Sequence, residues 1–205
     1  MIYDISPLVS CDLPVWPSDT PFSRKITADM KRGSCYTASS ITTTCHVGSH
    51  VDAPSHYSMS GETIDKRSLD FFIGKCQVMH VDVPKKSRIH ISHLKSVHAP
   101  RLLFATNTFD YTKHAFQPDF AAIDPELMEH IASLGVITVG IDTPSVDLFE
   151  ATSLDAHKAA LRYNMTLLEG VVLKDVPEGI YELIALPLKL KDCDASPVRA
   201  ILRSL

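Results

Sequence analysis

The sequence predicts one mixed α/β domain spanning residues 1–205, and three observations carry that prediction. Short apolar or β-branched runs recur along the whole chain, the mark of a multi-stranded sheet. Only two segments carry helical spacing. Regular strand–helix alternation and a Gly-rich phosphate loop are both missing, which sets aside Rossmann and P-loop folds.

The elements follow in order. Ile2 to Ile5 reads as the first strand, ending at Ser6-Pro7. Leu13 to Phe22 holds Pro14, Pro17 and Pro21 around Trp16, so it is an extended loop. Tyr36 to Cys45 is rich in β-favouring Ser and Thr and reads as a strand. Cys76 to Val83 and Leu102 to Thr106 are further strands. Asp124-Pro125-Glu126 sets a capping side chain, a first-turn proline and an early acid in order. Leu127, Ile131 and Leu134 then repeat at helical spacing up to Gly135. Val136 to Ile141 is a buried strand, and a second helix starts near Ser153 and carries His157 through Arg162. Met165 to Leu173, Ile180 to Leu190 and Val198 to Leu202 complete the strands.

Composition narrows the function. Hydrophobic residues make up 45% and charged residues 21%, which suits a folded globular chain. A formal charge of −4 makes no electrostatic case for nucleic acid or an anionic membrane as partner. No run approaches the ~20 apolar residues of a membrane span, and the first residues, MIYDISPLVS, lack the pattern of a secretory signal. Cys11, Cys35, Cys45, Cys76 and Cys193 are odd in number and widely spaced, with no C-x-x-C pair. The expectation is a reduced, cytoplasmic protein.

Three of the ten histidines, His46, His50 and His56, fall close together around Gly48, Asp52 and Pro54. Imidazole and carboxylate together ligate zinc, manganese or iron. Gly48 and Pro54 make a regular helix a poor choice here; a turn after the Tyr36 strand would converge His46, His50 and Asp52 on one point. Spacing does not say whether one ion or two would bind. A bound ion drops the pKa of its water from near 15.7 to about 7, and a histidine left off the metal can move a proton. His56, beyond Pro54, is the candidate for that role. The scattered His80, His90, His93, His98, His114 and His130 match no ligand spacing.

The pattern H-x-G-[ST]-H-x-D-x-P-x-H over His46 to His56 resembles the signature of the cyclase-like metal-dependent hydrolases. Pro14 to Phe22 is similar to the amino-terminal loop of the kynurenine formamidase (arylformamidase) branch, and Gly140 to Asp147 to its central strand and turn. Tyr181 to Leu188 and Asp194 to Ala200 resemble its carboxy-terminal blocks. The resemblance implies a swivelling β/β/α architecture, a homodimer, and two divalent ions per subunit, both zinc, with manganese the alternative metal. His46, His50 and Asp52 would hold one ion, Asp52 reaching the second; His157 would bind the second ion, and Glu169 would contact both. His56 would be the catalytic acid/base and Trp16 a substrate contact. The implied reaction opens the formamide of N-formyl-L-kynurenine, a small aryl formamide of tryptophan catabolism. Ala105 departs from the pattern, because an arginine is expected before Thr106. The same signature serves other amide or lactam hydrolases such as the isatin hydrolases. A non-catalytic, metal-stapled binding protein is the remaining alternative, although a structural metal site would have no use for His56.

Overall fold

The computed structural model describes residues 1–205. The chain opens with β1 (Ile2–Asp4), crosses the proline-rich loop, and forms a hairpin of β2 (Ser23–Ala28) and β3 (Ala38–Thr42). After the histidine turn come β4 (His50–Asp52), β5 (Ile73–His80), β6 (Arg88–Ile89), β7 (Arg101–Ala105) and β8 (Ala122–Ile123). Helix α1 (Pro125–Ser133) leads to β9 (Thr138–Ile141), α2 (Asp155–Arg162) and β10 (Thr166–Glu169). The chain closes with β11 (Gly179–Ile184), β12 (Ala195–Pro197) and β13 (Ile201–Ser204). Nine strands make one sheet in the order β1-β13-β11-β5-β7-β9-β10-β4-β12. Its centre, β5 to β10, is parallel, and both flanks are antiparallel. The mixed α/β class expected from the sequence is the class observed.

Apolar residues sort onto the two faces by the pleat. On β7, Leu102 and Phe104 join the core under α1 and α2, whereas Leu103 and Ala105 join the core on the opposite face. α1 buries Leu127, Met128 and Ile131, each contributing ~1.5–3 kcal/mol by leaving water. α2 lays Ala156, Ala159 and Ala160 on the sheet. The same alternation aims the functional residues. Val51 and Leu168 point into the second core, so their strand neighbours His50, Asp52 and Glu169 face the α2 side. Ala105 is fully buried, so the position where an arginine was expected is a core position.

The helix ends agree with the sequence. The Asp124 carboxylate accepts from the Glu126 amide at 2.9 Å, Pro125 opens α1, and the turn ends before Gly135. Several strand boundaries differ, for local reasons. β10 stops at Glu169 because Gly170 turns the chain with a φ of 71°. β11 stops at Ile184, short of Pro187, and the last strand starts later than expected, at Ile201. Two three-residue strands, β4 and β12, had no sequence signal; β12 tolerates Pro197 because it is an edge strand. β2 was missed because nearly all of it is exposed, leaving no hydrophobic period to read. No helix is long and apolar enough to cross a membrane.

Candidate metal centre

Two backbone turns build the site. Gly48, with φ of 60°, lets the chain reverse between β3 and β4. Gly170 does the same after Glu169, and a side chain there would run into the Gly48 carbonyl. These turns pack back to back, with the Ser49 hydroxyl donating to the Gly170 carbonyl at 2.8 Å. β4 then pairs antiparallel with β10, placing His50 directly opposite Glu169.

Asp52 sits at the centre. Its residue is 1% exposed, and neither carboxylate oxygen has a hydrogen-bond partner. Three imidazoles surround it: His46 Nδ1 at 3.1 Å, His50 Nε2 at 3.6 Å and His157 Nε2 at 3.4 Å. Glu169 completes the ring, 3.3 Å from His50 Nε2 and 3.5 Å from His157 Nε2. The structure therefore brings together all five ligands expected from the sequence. The donor atoms of His50, Asp52 and Glu169 lie within 4.8 Å of one another, as do those of His46, Asp52 and His56. A buried carboxylate is costly without a counter-charge, which either bound ions or protonated imidazoles can supply. Nitrogen and carboxylate oxygen donors in this combination fit a divalent ion of the zinc or manganese type.

Each of the three imidazoles facing Asp52 has its other nitrogen tied to an acceptor. His50 Nδ1 meets the Gly48 carbonyl at 3.0 Å, His46 Nε2 meets Asp194 at 3.0 Å, and His157 Nδ1 meets Asp147 at 2.8 Å. With protons on those nitrogens, the lone pairs of the others face the centre. Asp147 has a second task. Leu154 gives α2 no side-chain cap, and Asp147 instead accepts from the amides of Ala156 and His157 at 3.2 and 3.3 Å. One carboxylate thus fixes both the helix start and the ring that the helix carries. Glu169 is held in turn by the Val146 amide at 2.7 Å.

The charges reinforce one another. Burial pushes the Asp52 carboxyl up, but His157 and His46 outweigh it and hold the group well below the usual carboxylate range. Burial also works against a charged His46, yet Asp52 and Asp194 raise it to about 9. Likewise Asp147, Asp52 and Glu169 outweigh burial and raise His157 to about 10. Set by the protein's own groups alone, the cluster holds protons where an ion would hold positive charge.

The remaining predicted residues line the same cleft, a cavity of about 430 Å³ that includes Trp16, His46, His56 and Glu169. His56 is the more exposed histidine at its rim, with a third of its side chain open, and its Nδ1 lies 3.4 Å from Asp194. Trp16 stands against Phe116 and Phe149, with ring centroids at 5.4 and 4.9 Å, and Phe116 also lines the cleft. A larger cavity of about 940 Å³ lies beyond Tyr111 and contains none of the candidate ligands. Sequence reasoning assigned no role to Asp147, Asp194 or Phe116. Asp194 and Phe116 act through partners distant in the chain, and Asp147 acts by holding His157 rather than by a ligand spacing of its own.

Residues 3–148 match the family model Cyclase, described as "Putative cyclase". A solved structure described as a "potential metal-dependent hydrolase with cyclase activity" is 29% identical, with a TM-score of 0.82 over 98% of this chain and 96% of that one. A "predicted metal-dependent hydrolase" from Bacillus stearothermophilus is 28% identical, with a TM-score of 0.82 over 98% of this chain and 97% of that one. Isatin hydrolase A from Ralstonia solanacearum shares the fold at 18% identity, with a TM-score of 0.82 over 98% and 91% of the two chains. The chain belongs to the Cyclase family of cyclase-like metal-dependent hydrolases.

Proposed function

We propose that the protein hydrolyses the formamide bond of N-formyl-L-kynurenine, releasing formate and L-kynurenine in tryptophan catabolism. The observation that carries this reading is the aromatic wall of Trp16 and Phe116 on the same cleft as the Asp52 cluster and His56. A hydrolytic floor beside an aromatic wall suits an aryl amide, and ring stacking contributes about 0.5–1.5 kcal/mol beyond area burial. His46, His50, Asp52, His157 and Glu169 would hold two divalent ions, zinc or alternatively manganese. Ions bound there supply Lewis acidity and water acidified towards neutrality.

The chain's own groups do the rest. Trp16 packs on the ring and keeps the formyl group over the cluster. His56, with Nδ1 turned to Asp194, has Nε2 free to protonate the departing arylamine nitrogen, a poor leaving group otherwise. Once the oxygen of water has added to the formyl carbon, the C–N bond breaks as that proton arrives, leaving formate and the arylamine. A homodimeric assembly is part of the proposal. Its support is the β2–β3 hairpin, exposed along both strands and carrying Ile26 and Ile41; a lone two-stranded hairpin is marginal in water and a second copy would cover it. A cytoplasmic setting is favoured by the odd, widely spaced cysteines.

Turnover of N-formyl-L-kynurenine, formanilide and isatin by the metal-loaded protein tests the reading. N-formyl-L-kynurenine should be the fastest of the three. Isatin hydrolysed far faster than formylkynurenine would overturn the assignment, as would failure to open either formamide.

A further inference from the structure

Beside the aromatic wall lies a carboxylate with no role in the site described so far. Trp16 and Asp19 belong to one tight turn, closed by the Asp19 amide donating to the Trp16 carbonyl at 2.8 Å. Both side chains line the cleft. Thr44 holds this turn against the histidine segment. Its hydroxyl donates to Asp19 Oδ2 at 3.0 Å and accepts from the His46 amide at 3.3 Å, while its own amide donates to the Thr20 carbonyl at 3.0 Å. Asp19 is thus fixed relative to both Trp16 and His46. Thr44 occupies one of its oxygens, and the other carries no side-chain partner.

The carboxylates of the lining are unevenly partnered. The cleft residues include Asp19, Glu169 and Asp194 but no lysine or arginine. Glu169 and Asp194 are committed to histidines. Asp19 is the one carboxylate of the lining with neither an imidazole nor a cation beside it, and it sits next to the ring wall. From this placement we infer that Asp19 binds a positively charged group, an alkylammonium, carried by the substrate beyond its aromatic ring. The inference rests on the aryl-substrate reading of the same cleft and narrows it: the preferred ligands are aryl compounds with a cationic side chain. The lining offers a substrate carboxylate no lysine or arginine.

Trp16 is the only tryptophan, so its fluorescence reports ligand binding whether or not hydrolysis occurs. The metal-loaded protein is titrated with kynuramine, an ortho-aminophenyl ketone bearing an ammonium, and with ortho-aminopropiophenone, the same ring ketone without the amine. We expect kynuramine to bind about tenfold more tightly, as a charge-assisted hydrogen bond in a partly enclosed cleft provides. The preference should shrink as salt is raised and be lost in Asp19→Asn. Equal affinities of the wild-type protein for the two ketones overturn the inference without any variant. A preference that survives in Asp19→Asn also overturns it. The formamide assay fails or succeeds independently, so loss of the proposed reaction and loss of the ammonium site are separate results.

Discussion

Asp147→Asn isolates how the fold arms its second imidazole. The substitution keeps size and shape but removes the charge that receives His157 Nδ1 at 2.8 Å. An asparagine can turn its amide nitrogen towards Nδ1, which moves the ring proton to Nε2 and aims it at Asp52 instead of a lone pair. Hydrogen bonds to charged groups contribute about 1.5–3 kcal/mol. Loss of a group that orients a metal-binding histidine weakens affinity roughly 10–100-fold, or about 1.4–2.7 kcal/mol, which agrees with that range. The helix cap is the competing explanation, because the same carboxylate receives the Ala156 and His157 amides. An asparagine oxygen in place of Oδ1 still accepts from the Ala156 amide. The His157 amide shares Oδ2 with Nδ1 and loses its acceptor, and Arg88 loses its charge partner at 3.5 Å. Metal-free stability should therefore fall by about 1–2 kcal/mol. Competition with a chromophoric chelator measures the affinity, and denaturant unfolding in excess chelator measures the cap. An affinity change below about threefold would refute the orienting role. A large loss of metal-free stability would show instead that Asp147 serves mainly the helix.

Two further predictions concern protons. His56→Ala should keep full metal content while turnover of N-formyl-L-kynurenine falls at least ~100-fold; unchanged turnover removes His56 from the mechanism, and lost metal makes it a ligand with His46 and Asp52. His46 and His157, raised to about 9 and about 10, are protonated at neutral pH in the metal-free protein, and a metal ligand must be the neutral imidazole. Ion uptake at pH 7 should therefore release about two protons, one from each ring, and affinity should fall as pH is lowered below 9. Calorimetry in buffers of different ionisation enthalpy counts those protons; an affinity indifferent to pH between about 6 and 8 would contradict the charge assignment.

How far the site was legible depended on the reach of each signal. Helix α1 was readable because its cap, its proline and its stop are all local to Asp124, Pro125 and Gly135. The His46–His56 cluster was readable because its donors lie close together in the chain, within eleven consecutive residues. The order of the strands was not, since pairing of β4 with β10 joins residues far apart in the chain. His157 and Glu169 by themselves are an ordinary helix histidine and an ordinary strand acid, and only the family pattern marked them. Asp147 and Asp194 escaped both kinds of reading because their work is to hold another side chain. The expected arginine at Ala105 has a physical answer: β7 turns that side chain into the packed core, where a guanidinium would have to be buried.

The most direct test is metal content per chain, measured by elemental analysis of the purified protein alongside formamide turnover before and after chelation. The account predicts stoichiometric divalent metal, turnover abolished when it is stripped and restored when it is returned, and depleted metal in Asp52→Asn. A fully active, metal-free protein that ignores chelators would contradict it.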